Sequence, residues 1–358
     1  MNFLILMFRI CAMDLIKTEI EWYMQNSRTR TTFVFHISIL CALLLLLIFV
    51  SMCVGRYSIS VKTVIGFFFN QAVDEVSKRV ILYLRIPRTL VAILVGAALS
   101  VSGAIYQSTF NNKLVSPDLL GVSSGASVGA CLAILLGLSA VFVTIYAFVF
   151  GFFSVFLTVT IAKAFKNKSN VILLLCGLAT GGLMSSLVGL LKYLADDERK
   201  LAEMTFWLLG DLSATTINNF YLMLPVCASC FILVCVLAWQ LNILSLGKKE
   251  AVSLGVSYSL IMGIMIFTAT ALTATSVSVA GNISWIGLVI PNIVRIVIGS
   301  DNKKVIPLSM LYGAIMLLVV DMLARTLTPN EIPLSVITGI LGSPFFVFAI
   351  FKKRKEIQ

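Results

Sequence analysis

Three arginines carry the most telling chemistry in this chain: Arg85 and Arg88 bracket Ile86 and Pro87, and Arg325 follows Asp321 by four residues. A guanidinium stays charged at physiological pH and presents five donors in a planar fork, which suits it to carboxylates. The segment from Arg85 to Leu90 runs straight into an apolar stretch, Val91 to Ile105. A charge at the bilayer centre costs roughly 2.5–3.5 kcal/mol on insertion scales, so both arginines belong at a water boundary. Asp321 and Arg325, one helical turn apart at the end of another apolar stretch, can form an ion pair.

The other reactive side chains form no catalytic constellation. His36 opens an apolar run with no ligand partner near it in sequence and reads as structural. Cys227-Ala228-Ser229-Cys230 has redox spacing, but no histidine or basic neighbour lowers a thiol pKa there, so these cysteines read as small apolar filler. No clustered His, Asp, Glu or Ser set suggests an enzyme, a metal site or a cofactor site. No ionisable pair lies deep in an apolar run, which weighs against a proton-driven secondary transporter. No G-x-x-x-x-G-K-[ST] phosphate loop is present, so any ATP hydrolysis belongs to another polypeptide.

The elements that hold these residues are membrane helices. With 59% apolar and 12% charged residues in 358, and a mean hydropathy of +1.02, the chain has too little polar surface for a soluble globule. A helix crosses the hydrocarbon core with about 20 apolar residues. Ten such spans are expected: Phe33–Val54, Arg88–Gln107, Leu119–Leu138, Val141–Ala162, Val171–Leu191, Phe220–Gln240, Leu260–Val279, Ile283–Gly299, Val305–Leu323 and Ile332–Phe351.

Ten spans put both termini on one side. Of the 27 Lys and Arg, 17 then fall on the side of the termini and 10 on the other, so the positive-inside rule makes both termini cytoplasmic. The net charge of +11 thereby reflects topology and contact with anionic lipid, not nucleic acid. Residues 1–32 read as a cytoplasmic tail, residues 33–351 as a ten-helix transmembrane domain and residues 352–358 as a basic cytoplasmic end. Met1 to Met13 is apolar but short and contains Arg9, and no small-residue cleavage pattern follows it, so no signal peptide is read there. Met13 and Met24 stand beside Met1 as candidate starts, and Trp22, Tyr23 and Tyr57 are placed as interfacial anchors.

Gly121, Gly125 and Gly129 recur every four residues in the third span, and Gly177 and Gly181 do so in the fifth. Small residues at this spacing let helix backbones approach closely, so both helices are expected at the centre of the bundle. Ser124, Ser127, Ser185 and Ser186 beside them allow a second reading, a polar path.

Several motifs in order resemble the FecCD family of ABC importer permeases. They are Arg85 to Leu90, Gly96 to Gly103, Asn112 to Pro117, Leu120 to Ala126, Trp207 to Gly210, Leu244 to Gly247 with Ala251 and Leu254-Gly255, and Gly281 to Pro291. Pro307, Gly313-Ala314, Asp321 to Arg325, Glu331 to Pro333 and Gly339 to Phe346 complete the set, so the likeness covers roughly residues 33–351. One departure is Asn292, where many members carry a histidine after the proline.

The resemblance implies the all-α, ten-helix architecture of a type II ABC importer permease in the bacterial cytoplasmic membrane. It also implies a second permease subunit, identical or paralogous, two ATPase subunits and an extracytoplasmic substrate-binding protein. The cargo implied is a ferric siderophore or haem, with cobalamin as the alternative. Arg85, Arg88 and Arg325 match external arginines that dock acidic residues of the binding protein. Gly247, Lys248, Lys249, Glu250, Ala251, Leu254 and Gly255 match the helix that couples to the ATPase; read by itself, the stretch is also an ordinary charged turn. Thr180, Gly181, Ser185 and the stretch Thr338 to Ser343 are nominated for the translocation path, although their hydroxyls can equally bond their own helix backbone.

Overall fold

The computed structural model describes residues 33–71, 73–165 and 169–354. The tail expected over residues 1–32, with Trp22, Tyr23, Met13 and Met24, lies outside them, as do Lys166, Lys168 and Lys355. Lipid offers no partner to a backbone amide, so a chain crossing it satisfies its amides within each helix. All regular structure among the described residues is helical.

In chain order the helices are α1 (Phe33–Cys53), α2 (Val61–Phe68), α3 (Glu75–Arg79), α4 (Ile86–Thr109), α5 (Val122–Leu135), α6 (Ala140–Ala164), α7 (Asn170–Tyr193) and α8 (Glu198–Leu209). They continue as α9 (Ile217–Val236), α10 (Ala238–Leu244), α11 (Lys248–Ser253), α12 (Tyr258–Ala280), α13 (Ile286–Ile298), α14 (Asn302–Ala324) and α15 (Leu334–Arg354). A π-helical turn, Val80–Arg85, joins α3 to α4, and a 3₁₀ turn, Pro117–Leu120, precedes α5. Among the described residues seven helices are long and apolar enough to cross a bilayer: α1, the continuous run Glu75–Thr109, α6, α7, α9, α12 and α14. Three shorter apolar helices, α5, α13 and the Leu334–Val347 part of α15, fall at the other three expected spans. Residues 33–43 form a unit of their own; the architecture below is that of the unit from Leu44 onward.

Its axis is α4, packed against α14, α12, α13 and α9. The small-residue run Gly96 to Ala104 makes this possible. Gly96 faces Gly313 of α14, and Gly103 faces Gly287 of α13, each backbone to backbone; a β-carbon at either position of α4 would overlap the opposing carbonyl oxygen. Hydroxyls fasten the third contact. Ser102 Oγ lies 2.6 Å from Thr273 Oγ1 and 2.9 Å from the Ala269 carbonyl, and Tyr106 OH lies 3.0 Å from Thr270 Oγ1.

The glycines of the third span pack as their spacing suggests, Gly125 and Gly129 against the Phe150 and Tyr146 carbonyls of α6. The expectation of a central fifth span needs correcting. Only Cys176, Gly177, Thr180 and Met184 of α7 are buried, and Leu175, Leu178, Leu183, Ser185 and Leu190 are exposed. Gly177 marks one close approach, to the Leu119 carbonyl. Beyond it α7 presents an open face, because a small-xxx-small pattern reports a near neighbour and not a position at the centre.

Candidate functional site

The three arginines, up to 240 residues apart in sequence, converge at one end of the bundle. The π-helical turn delivers Arg85 and runs directly into α4, where Pro87 cannot donate to the turn before it, and Arg325 closes the C-terminus of α14. Arg85 donates to the carbonyls of Met52, at the C-terminus of α1, and of Tyr57. Arg325 donates to Ser51, 2.6 Å to its hydroxyl and 3.1 Å to its carbonyl, and its Nε stands 3.5 Å from Asp321 Oδ2, the expected i, i+4 pair. Arg88 holds two acids at once: Asp321 Oδ1 at 2.7 Å through Nε, and Glu331 in a bidentate clasp at 3.1 and 2.8 Å.

This geometry revises the picture of arginines exposed to water. Arg85, Arg88 and Arg325 are 4%, 8% and 5% exposed, and Asp321 is fully buried. Three cations balance two anions, leaving the cluster one charge positive. Glu331 is its outermost carboxylate, with a side chain 23% exposed. The pairing of Arg88 with Asp321 and Glu331 escapes sequence reasoning because nothing local links residues 233 and 243 apart.

A second polar constellation lies at the far end of α14, about 35 Å away at 1.5 Å per residue. Asn242 of α10 donates to Asp301 at 2.7 Å and accepts from the Asn302 amide at 2.8 Å, and Ser108 donates to Asn302 at 2.8 Å. The next element is α11, six residues entered from Gly247 (φ +112°) and left through Gly255 (φ +75°), both in the left-handed region that favours glycine. Lys248, Lys249, Glu250, Val252 and Leu254 are exposed; Ala251 is turned inward and fully buried. Ala251 is therefore the seat of α11, and the surface offered outward is formed by its neighbours.

Arg295, near the end of the expected span Ile283–Gly299, is buried at this end. It donates to Gln107, to the Ala104 carbonyl at 3.2 Å and to Ser108 at 3.1 Å. It has no acid among the described residues; the carbonyl-rich C-terminus of α4 supplies the negative potential. Asn292 clips the Lys113 carbonyl at 2.9 Å, tying the α4–α5 connection to α13.

The nominated path residues divide. Gly181, Ser185 and Ser343 reach the surface, whereas Thr180 and Thr338 are buried. Thr338 and Ser343 bond their own helix, to the Ser335 carbonyl at 3.2 Å and the Gly339 carbonyl at 2.9 Å. Beside them sits Trp285, which sequence reasoning missed. It occupies a left-handed conformation, φ +73°, at the start of α13, and packs on Gly342 and Phe346 of α15. Only its place within the Gly281 to Pro291 motif hinted at a constraint there.

With this geometry in view, comparison with known proteins is decisive: the FecCD transport family model matches residues 43–352. The chain belongs to the FecCD transport family. Among relatives of this FecCD chain is the molybdate import system permease protein of Haemophilus influenzae, 36% identical over 88% of this chain and 95% of that protein. The hemin transport system permease protein of Yersinia pestis is likewise 36% identical, over 88% and 95%. A chain from a solved inward-facing metal-chelate type ABC transporter superposes with a TM-score of 0.80 at 36% identity, covering 87% of this chain and 97% of that one. This FecCD chain is thus an integral membrane permease subunit of an ABC importer of the metal-chelate type, and ATP hydrolysis belongs to separate ATPase subunits.

Proposed function

We propose that this FecCD permease passes an iron chelate, a ferric siderophore or haem, handed to its arginine end by an extracytoplasmic binding protein and driven by ATPases seated at α11. The observation that carries the reading is the polarity of the bundle. A charged cluster with one acid at its rim stands at one end of α14, and an exposed basic helix between two left-handed glycines stands at the other. The basic excess on the α11 side supports its being cytoplasmic. Relatives named for iron chelatin and hemin transport support an iron chelate as cargo. Two copies meeting along the open faces of α7 and α15 would enclose the path, with Gly181, Ser185 and Ser343 on its wall.

Ligand-stimulated ATP hydrolysis of the complex with its cognate binding protein, measured across ferric siderophores, haemin, cobalamin and molybdate, tests the cargo. Stimulation by a ferric siderophore or haemin is expected; stimulation by cobalamin or molybdate alone overturns it.

The coupling contact is testable on α11 itself. A cysteine at Val252 or Leu254 is expected to crosslink to the ATPase in the assembled complex, while one at buried Ala251 reacts at least tenfold more slowly. Equal reactivity at the three positions would remove α11 from the contact.

Docking takes a specific form in this reading. Arg88 is already paired, so a carboxylate of the binding protein reaches it by displacing Glu331. Such an exchange is nearly balanced, which suits a partner that leaves after delivery; an exposed pair contributes only ~0.2–1 kcal/mol. Glu331→Gln removes the competitor and is expected to tighten binding-protein association about fivefold, roughly 1 kcal/mol, with a steeper loss at high salt. Weakened association in Glu331→Gln would refute the exchange. Reversing all three arginines to glutamate is a poorer test, because it places new acids against Asp321 and Glu331 and disrupts the bundle.

A further inference from the structure

A groove of about 830 Å³ opens between the C-terminal half of α6, the start of α7 and the first half of α12. Its size falls in the range of small-molecule sites, ~300–1,000 Å³. Its walls are sorted by depth. Phe152, Phe153 and Phe156 of α6 face Met262, Ile266 and Phe267 of α12, and the Phe152 and Phe267 rings meet at 5.6 Å. The polar lining gathers at one end, where α6 finishes and α7 and α12 begin: Lys163, Ser169, Asn170, Lys248, Tyr258 and Ser259. Asn170 donates to Tyr258 OH at 3.0 Å, joining the two helix starts at that end. Thr270, at the apolar end, has its hydroxyl on the Ile266 carbonyl at 2.7 Å.

No Asp or Glu lines this groove, and neither Lys163 nor Lys248 is in an ion pair among the described residues. The helix starts at Asn170 and Tyr258 add positive potential of the same sign. The groove therefore combines an unneutralised basic mouth at the headgroup level with an aromatic channel running toward the bilayer centre.

We infer that this groove binds an anionic phospholipid, its phosphate between Lys163 and Lys248 and one acyl chain against the phenylalanines of α6 and α12. The charge argument selects this occupant. A second copy of the chain would cover the two lysines with an apolar helix and strand their charges out of water. A hydrophilic ferric siderophore would gain nothing from phenylalanine walls, and haemin retained in place of the lipid in the measurement below would overturn the assignment. A phospholipid in the bilayer already holds phosphate and chain at the depths required, and basic pockets between membrane helices bind such headgroups.

Gly263 gives a clean probe. It lines the groove, and a β-carbon there meets nothing within 4 Å, so a larger side chain enters open space without disturbing the bundle. The full chain would be taken from nanodiscs of equal phosphatidylethanolamine and phosphatidylglycerol and read by native mass spectrometry. One phosphatidylglycerol per chain is expected to be retained over phosphatidylethanolamine at least fivefold, and 10 mM inorganic phosphate is expected not to displace it. Gly263→Phe is expected to lose this adduct with its melting temperature measured without added lipid unchanged, and Lys163→Ala to lose the preference for phosphatidylglycerol. Equal retention of the two lipids, retention by Gly263→Phe, displacement by phosphate, or a self-crosslink from a cysteine at Phe156 would each overturn the assignment.

Discussion

Arg88→Met is expected to deplete folded protein from the membrane about tenfold, read as the monodisperse peak of a fluorescent fusion on size exclusion. Asp321 is fully buried, and its strongest partner is Arg88 at 2.7 Å; Arg325 is farther, at 3.5 Å. Removing one member of a buried ionic set leaves the other charge uncompensated and costs ~3–5 kcal/mol. That is a large part of the roughly 5–15 kcal/mol by which proteins are stable. Neutralising the stranded outer acid as well, in Arg88→Met with Glu331→Gln, leaves Asp321 its partner Arg325 and is expected to restore much of the peak. The restored protein would still fail to engage a binding protein, which separates the structural duty of Arg88 from docking. A normal yield of the single variant would show that the cluster does not hold the bundle together.

Gly103→Val is expected to abolish the assembled bundle altogether. A β-carbon there would overlap the carbonyl oxygen of Gly287, and both atoms belong to helix backbones that cannot rotate away as a side chain can. Overpacking a core costs ~1–3 kcal/mol where side chains can yield, and more where only whole helices can move. Gly189→Ala is the control, since a β-carbon at Gly189 meets nothing within 4 Å. It is expected to purify and melt like the parent chain, whereas a stable Gly103→Val protein would mean that α4 and α13 are not in backbone contact.

Hydropathy locates spans because lipid enforces continuous helices. The fourth span, expected at Val141–Ala162, is α6 (Ala140–Ala164), and the ninth, expected at Val305–Leu323, is α14 (Asn302–Ala324). What it cannot see is a break inside an apolar run. The expected span Phe220–Gln240 divides at Leu237 into α9 and α10. The third begins at Gly121, whose left-handed conformation ends the 3₁₀ turn before α5 starts. The Asp321–Arg325 pair was legible because helical periodicity sets it. The pairing of Arg88 with the same acid was not, since it depends on how α4 and α14 pack against each other. Burial was the least legible property: a charge at a helix end reads alike in sequence whether it faces water, as at Lys248, or the bundle, as at Arg295.

Transport by the purified complex in proteoliposomes, with the permease, its ATPase and its binding protein present, separates ATP-driven import from gradient-driven uptake. Accumulation of a radiolabelled ferric chelate is predicted to require both ATP and the binding protein, and to vanish when α11 is replaced by a glycine-serine loop. Accumulation driven by a proton gradient, without ATP or the binding protein, would contradict it.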